Sequence, residues 1–190
     1  MINLVLFGPP GAGKGTQSES IIKKYSLSHI STGDLFRKHL KEGTELGKLA
    51  QKYMDEGNLV PDKVVIDMVD DKIKSDDKVN GYIFDGFPRT VAQAKALDEL
   101  MNGKGTPISG MIALEVPQEE LVKRLLNRGL TSGRTDDQDE RKINNRIEVY
   151  QKETTPVINY YEAQGKFKAI NGVGSLDEIF NNICKVIDRY

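Results

Sequence analysis

Five short apolar runs recur along the chain, at positions 3–7, 27–30, 82–85, 111–116 and 167–170. Each is too short for a helix and rich enough in apolar residues for a buried strand. Between them, apolar residues recur at helical spacing, in segments that open after Gly13, Gly33, Thr44, Pro61, Pro88, Pro117, Glu140 and Ser175. Strands separated by helical segments predict an α/β protein with a parallel sheet covered on both faces. Ligands of such sheets bind beyond the carboxyl ends of the strands. Near the end, Leu176, Ile179, Phe180, Ile183, Cys184 and Ile187 mark one helix face packed on the core, with Cys184 as a small buried hydrophobe. Tyr150, Tyr160 and Tyr161 read as core positions of a preceding long helix, which Pro156 should kink or bound.

The first apolar run leads directly into Gly8-Pro9-Pro10-Gly11-Ala12-Gly13-Lys14-Gly15-Thr16. A strand, a glycine-rich loop and a helix in this order form a phosphate-binding loop: backbone N–H groups wrap the phosphate and the helix adds its positive end. Lys14 is placed to reach the outer phosphates as a point charge. The loop departs from the usual pattern in having Gly15 after the lysine. The hydroxyl arrives one residue later, at Thr16, where it is expected to touch phosphate rather than magnesium.

Two further clusters fall at strand ends. In Ser31-Thr32-Gly33-Asp34-Leu35-Phe36-Arg37, a helix cap explains the Ser/Thr/Asp pattern as well as an anion site does. In Asp85-Gly86-Phe87-Pro88-Arg89-Thr90, an acid ends a strand, a tight turn follows, and an arginine is expected to begin a helix, with Gln93 on the same face. Arginines then concentrate: Arg124 and Arg128 one turn apart on a helix, Arg134 after an expected mobile loop at 129–134, and Arg146 on the next helix. The interleaved Asp136, Asp137, Asp139 and Glu140 argue against a nucleic-acid track and for an arginine clamp around one small polyphosphate.

Composition narrows the setting. Acidic and basic residues nearly cancel, at a formal charge of -1, which gives no footing for nucleic acid or anionic lipid. No apolar run approaches membrane-spanning length, and Met1 leads straight into a strand, so neither membrane nor signal peptide is expected and the cytoplasm is the default compartment. A single cysteine excludes an internal disulfide and a multi-thiolate zinc site. His29 and His39 stand alone and read as structural or surface residues.

The segments 8–17, 31–37, 85–89 with Gln93, 129–137 and Gly172-Val173-Gly174-Ser175 together resemble the adenylate kinases, over essentially the whole chain. The resemblance implies the P-loop nucleoside triphosphate hydrolase-like three-layer fold, a central five-stranded parallel sheet flanked by helices. It also implies a helical monophosphate-binding insertion at 31–60 and a short lid at 128–138, set on core segments 1–30, 61–127 and 139–190. The implied reaction converts ATP and AMP to two ADP, with Mg2+ bound to ATP, in a monomer. The implied ATP contacts are Gly8, Pro10, Gly11, Ala12, Gly13, Lys14, Gly15, Thr16, Arg124, Arg128 and Gly174. Those for AMP are Thr32, Arg37, Leu59, Val60, Gly86, Arg89, Gln93, Arg134 and Arg146, with Arg141 as the neighbouring alternative to Arg146. Lys14, Arg89, Arg124, Arg128, Arg134 and Arg146 would act on the transferring group, and Asp34 and Asp85 on the water shell of magnesium. The short lid and missing cysteines resemble the form without zinc. Thr32 and Gln93 match the AMP-selective pattern rather than that of CMP/UMP relatives. The competing readings are a phosphotransferase with another acceptor, a nucleotide-hydrolysing switch and an inactive binding module.

Overall fold

A computed structural model describes residues 1–76 and 79–190, except the side chain of Thr135. The predicted strands form as β1 (Ile2–Phe7), β2 (Ser28–Ser31), β3 (Gly81–Asp85), β4 (Gly110–Glu115) and β5 (Phe167–Asn171), each within a residue or two of its apolar run. They pair in parallel in the order β2-β3-β1-β4-β5. Alternate residues of β1 enter different cores: Val5 and Phe7 pack on one face, Leu4 and Leu6 on the other. A strand buried on both faces has no polar side, which is why its sequence reads as a continuous apolar run. Asn3 is the exception in β1. Its buried amide accepts from Tyr82 N at 3.0 Å and donates to Thr106 O at 2.7 Å, tying β1 to β3 and to the segment before β4.

Helices α4 (Asp62–Ser75), α5 (Val91–Gly103) and α8 (Pro156–Glu162) supply the first core, through residues such as Val69, Leu97 and Tyr161. The second core is filled from α1 (Lys14–Tyr25), α6 (Gln118–Ser132), α7 (Glu140–Val149) and α9 (Leu176–Ile187), through Ile21, Leu125, Ile147 and Ile183. Helices α2 (Thr32–Lys41) and α3 (Glu45–Met54) lie between β2 and α4, where a helical insertion was expected. Thr44 caps α3 through Gly47 N, and its hydroxyl also meets His39 Nδ1 at 3.2 Å, so His39 belongs to the turn between the two helices. No helix among the described residues is long and apolar enough to cross a membrane.

Three local expectations change. The residues 129–132 do not form a loop: α6 continues to Ser132, and only Gly133, at φ 66°, turns the chain. Gly129 is needed inside that helix because a Cβ there would stand 2.5 Å from Asp137 O. A short 3-10 turn, Thr135–Asp137, completes the segment before α7. Arg89 does not begin a helix. Thr90, extended and accepting from Gln93 N, is the cap, and α5 starts at Val91. The long helix expected to carry Tyr150, Tyr160 and Tyr161 is divided, with a π turn at Tyr150–Thr154 between α7 and α8 and Pro156 as the first residue of α8. Proline fits that first position because its missing N–H has no partner to lose there.

Candidate active site

Strands β1, β2 and β3 end together at Phe7, Ser31 and Asp85, and all three residues line one cavity of about 490 Å³. The loop after β1 forms its floor. Gly13 precedes α1 at φ 92° and ψ 11°, a left-handed conformation that glycine adopts without steric cost. Gly8, Pro10, Gly11, Ala12, Gly13, Lys14, Gly15 and Thr16 all line the cavity. Lys14 Nζ donates back to the loop, to Gly8 O at 2.7 Å and Pro9 O at 3.1 Å. Burial lowers its pKa to about 8, opposed by the charge of Asp85 and reinforced by Arg89, Arg146 and Arg128.

Asp85 faces Lys14 from the end of β3. Burial alone would raise its pKa, but His29, Lys14 and Arg89 bring it below the ordinary carboxylate value. His29 Nε2 stands 3.9 Å from Asp85 Oδ2, beyond hydrogen-bond reach, and has no other partner among the described residues. His29 is therefore not the isolated residue its sequence context suggested. Arg89 Nε donates to Gly86 O at 2.7 Å, after a cis Phe87–Pro88 peptide. Burial, then the nearby Arg146, lower the Arg89 pKa to about 10, Asp85 partly offsetting them.

Both readings of the 31–37 cluster have a counterpart. Ser31 Oγ caps α2 by accepting from Asp34 N, while Thr32 Oγ1 donates to Gly86 O at 2.8 Å and so joins β2 to the turn after β3. Asp34 and Arg37 form an ion pair with each other at the cavity wall. Burial pushes the Asp34 pKa up, but the Arg37 bond and charge leave it below its ordinary value.

The remaining arginines come from α6, the segment after it and α7. Asp137, fully buried, accepts from Arg128 at both oxygens, from Nε at 2.6 Å and from Nη2 at 3.0 Å. The same carboxylate accepts from Arg146 Nη1 at 2.5 Å, and Asp136 meets that nitrogen at 2.9 Å. Burial would raise the Asp137 pKa, yet its bond to Arg128 and the charges of Arg146 and Arg128 hold it low. Arg124 donates to Glu120 at 2.7 Å and to Gly172 O at 3.2 Å, which places the 172–175 segment beside α6. Arg134 lies on the cavity, its pKa lowered by burial and by Arg37 and Arg128. Arg141 is 93% exposed on its side chain and pairs with Asp139, whereas Arg146 is 17% exposed and lines the cavity.

The cavity thus gathers the phosphate loop, Asp34, Arg37, Leu59, Asp85, Gly86, Arg89, Arg124, Arg128, Arg134 and Arg146. Thr32, Gln93 and Gly174 do not line it, and Val60 lines a neighbouring cavity of about 500 Å³ instead. Sequence reasoning overlooked Asp136 and Asp137 as holders of the arginines, and Tyr150, whose ring packs on Phe7 at 5.6 Å and also borders the cavity. An aspartate nine residues from each arginine it holds leaves no periodic signal.

A parallel sheet with a glycine-rich loop at its carboxyl edge and a ring of arginines around it defines a phosphate-binding-loop protein of the α/β class, equipped to hold a polyphosphate. Known proteins narrow that class. The family described as adenylate kinase matches residues 6–166. The chain is 53% identical over 189 residues to an adenylate kinase of Flavobacterium psychrophilum, each protein being covered over its whole length. It is 49% identical to one of Bacteroides thetaiotaomicron, again over the whole of both chains. Against one of Leptospira biflexa it is 50% identical, over 98% of this chain and all of that one. The chain belongs to the adenylate kinase family.

Proposed function

We propose that this chain transfers the terminal phosphoryl group of ATP to AMP, reversibly, giving two ADP. The observation that carries the reading is the convergence of Lys14, Arg89, Arg128, Arg134 and Arg146 on one cavity built over a phosphate loop. The acceptor is a phosphate oxygen that is already anionic, so no residue has to remove a proton. One P–O bond to the γ-phosphorus forms as the bond to the ADP leaving oxygen breaks. The demands are in-line placement of two repelling polyphosphates and compensation of charge, which cationic side chains meet.

In this reading, residues 8–16 with Arg124, Arg128 and Gly174 hold ATP. Arg37, Arg89, Arg134 and Arg146 hold the AMP phosphate, while Thr32, Leu59, Val60, Gly86 and Gln93 surround its base. The insertion at 31–60 covers AMP and the segment at 128–138 covers ATP, with an exit hinge at 57–61. Closure of both excludes water and prevents wasteful hydrolysis. The Asp137 carboxylate meets the Arg128 fork at both oxygens, in the way a phosphate would.

Magnesium would bind with ATP, where it supplies charge neutralisation across the phosphate oxygens. Hard oxygen ligands suit it, and Asp85 fits as a holder of its water shell because it borders the cavity opposite Lys14. Asp34 fits less directly, since Arg37 already engages its carboxylate.

Steady-state ADP formation from ATP and magnesium, with AMP, CMP, UMP and GMP offered separately, tests the proposal. Formation strongly favoured by AMP is expected. Preference for another monophosphate would keep the reaction and overturn the acceptor.

A further inference from the structure

Asp62 is the first residue of α4, and a carboxylate there has a ready explanation in the positive end of the helix. Its two oxygens are nevertheless engaged by another element. Oδ2 accepts from Thr90 Oγ1 at 3.0 Å, and Oδ1 accepts from Gln93 Nε2 at 2.8 Å. Gln93 Oε1 in turn accepts the backbone N–H of Arg89 at 2.8 Å.

These partners permit the Gln93 amide only one orientation. A carboxylate accepts, so the NH2 group faces Asp62; a backbone N–H donates, so the carbonyl oxygen faces Arg89. A flipped amide would set oxygen against carboxylate and NH2 against N–H, and both bonds would be lost. Gln93 is 1% exposed, so water does not replace them. One amide N–H and one lone pair of the oxygen remain beyond these two bonds.

An amide of fixed orientation presents its donor and acceptor in a fixed order. Adenine offers an amino donor at C6 beside an acceptor at N1, and cytosine offers the same order on its smaller ring. A 6-oxo purine or uracil reverses both. An amide able to turn over matches either order; a pinned one matches only one.

We propose that Asp62 is a positioning residue that fixes the orientation of the Gln93 amide and so selects acceptors with an amino-bearing base edge over those with an oxo-bearing edge. This rests on the reading that Gln93 meets the base of the acceptor. Its place suits the role: Asp62 and Thr90 line the second cavity, which shares Leu59 and Val149 with the main one.

The test compares AMP with inosine monophosphate, which differ at the purine C6 and N1 edge. Acceptor kcat/KM is measured for both with the unaltered enzyme, D62N, D62A and Q93A. Asn at 62 keeps the side-chain shape but can show Gln93 either an oxygen or an NH2 group, which leaves the Arg89 N–H as the one fixed partner of the amide and lowers the cost of turning it over by one hydrogen bond. The AMP-to-inosine-monophosphate ratio is expected to fall at least about tenfold in D62N and D62A, the worth of one mispaired buried hydrogen bond. A merely structural role would lower kcat/KM for both nucleotides alike and leave the ratio in place. D62N carries the comparison if D62A does not fold. A ratio unchanged in both Asp62 variants but collapsed in Q93A overturns the positioning role while keeping Gln93 as base reader. A ratio unchanged in Q93A as well overturns the base reading itself, and the Asp62 proposal with it.

Discussion

In the proposed reaction Arg89 is the side chain whose readiness for a phosphate rests most on its neighbours. Its Nε is held by Gly86 O, which restrains the guanidinium at the cavity wall and leaves four N–H donors beyond that bond. Arg89→Ala is expected to raise the AMP KM and to lower kcat about a hundredfold, the usual cost of removing one preorganised charge-stabilising donor. Initial rates over an AMP titration check this, and unchanged values of both constants would remove Arg89 from the clamp. Lys14 adds a pH dependence. A lysine lowered to about 8 is charged below that pH and neutral above it, so in its proposed role the attraction for ATP is present at neutral pH and fades as pH rises through 8. The limb should appear in kcat/KM for ATP, which reports the free enzyme. Lys14→Arg should move that limb out of the range, because a guanidinium stays charged there. A profile flat from pH 7 to about 9.5 in the unaltered enzyme would contradict it. The basic residues themselves were legible as residue types at strand and helix ends. Asp137, which holds Arg128 and Arg146, was not, nor was Asp62, which holds Thr90 and Gln93, because both act across sequence separations that no local pattern encodes.

Among the elements, the segment 129–137 departs most from its sequence reading. Gly129 resembled a loop residue because glycine disfavours helices and a second glycine follows at 133. In the structure it is a helical residue whose missing side chain lets the Thr135–Asp137 turn lie against α6. The two glycines therefore predict different phenotypes. Gly129→Ala pushes a methyl group against Asp137 O, displaces the carboxylate that holds Arg128 and Arg146, and should cost about 1–3 kcal/mol of stability along with most of the activity. Gly133→Ala meets no atom within 4 Å and strains only a left-handed backbone, at about 1 kcal/mol. Thermal unfolding and turnover of the two variants side by side distinguish them; equal effects would deny Gly129 its packing role. The strands, by contrast, were legible to within a residue or two. Near-complete burial imposes apolar runs on β1, β3 and β4, whereas β2 and β5, at the two edges of the sheet, keep polar or exposed positions and are marked by only a few apolar residues.

At the scale of the molecule, alternation of strands and helices implied a parallel sheet but not its order. Which strand neighbours which is decided by pairing across the sheet, such as Leu6 opposite Asp85 and Ser31 opposite Asp85, and these pairs join positions far apart in the chain. The order β2-β3-β1-β4-β5 puts β3 between β1 and β2, so that the acid of β3 stands between the glycine-rich loop and the start of α2. The cavity is the meeting point of segments that the sequence keeps separate, and this is why the motifs were legible while the arrangement among them was not. The central claim is that these segments carry a phosphoryl group from one nucleotide to another without releasing it. The most direct measurement follows ATP labelled in its terminal phosphate, incubated with magnesium and unlabelled AMP. The account predicts that the label appears in newly formed ADP, in step with AMP consumption and with little free phosphate. Label released as inorganic phosphate at the same rate with or without AMP would contradict it.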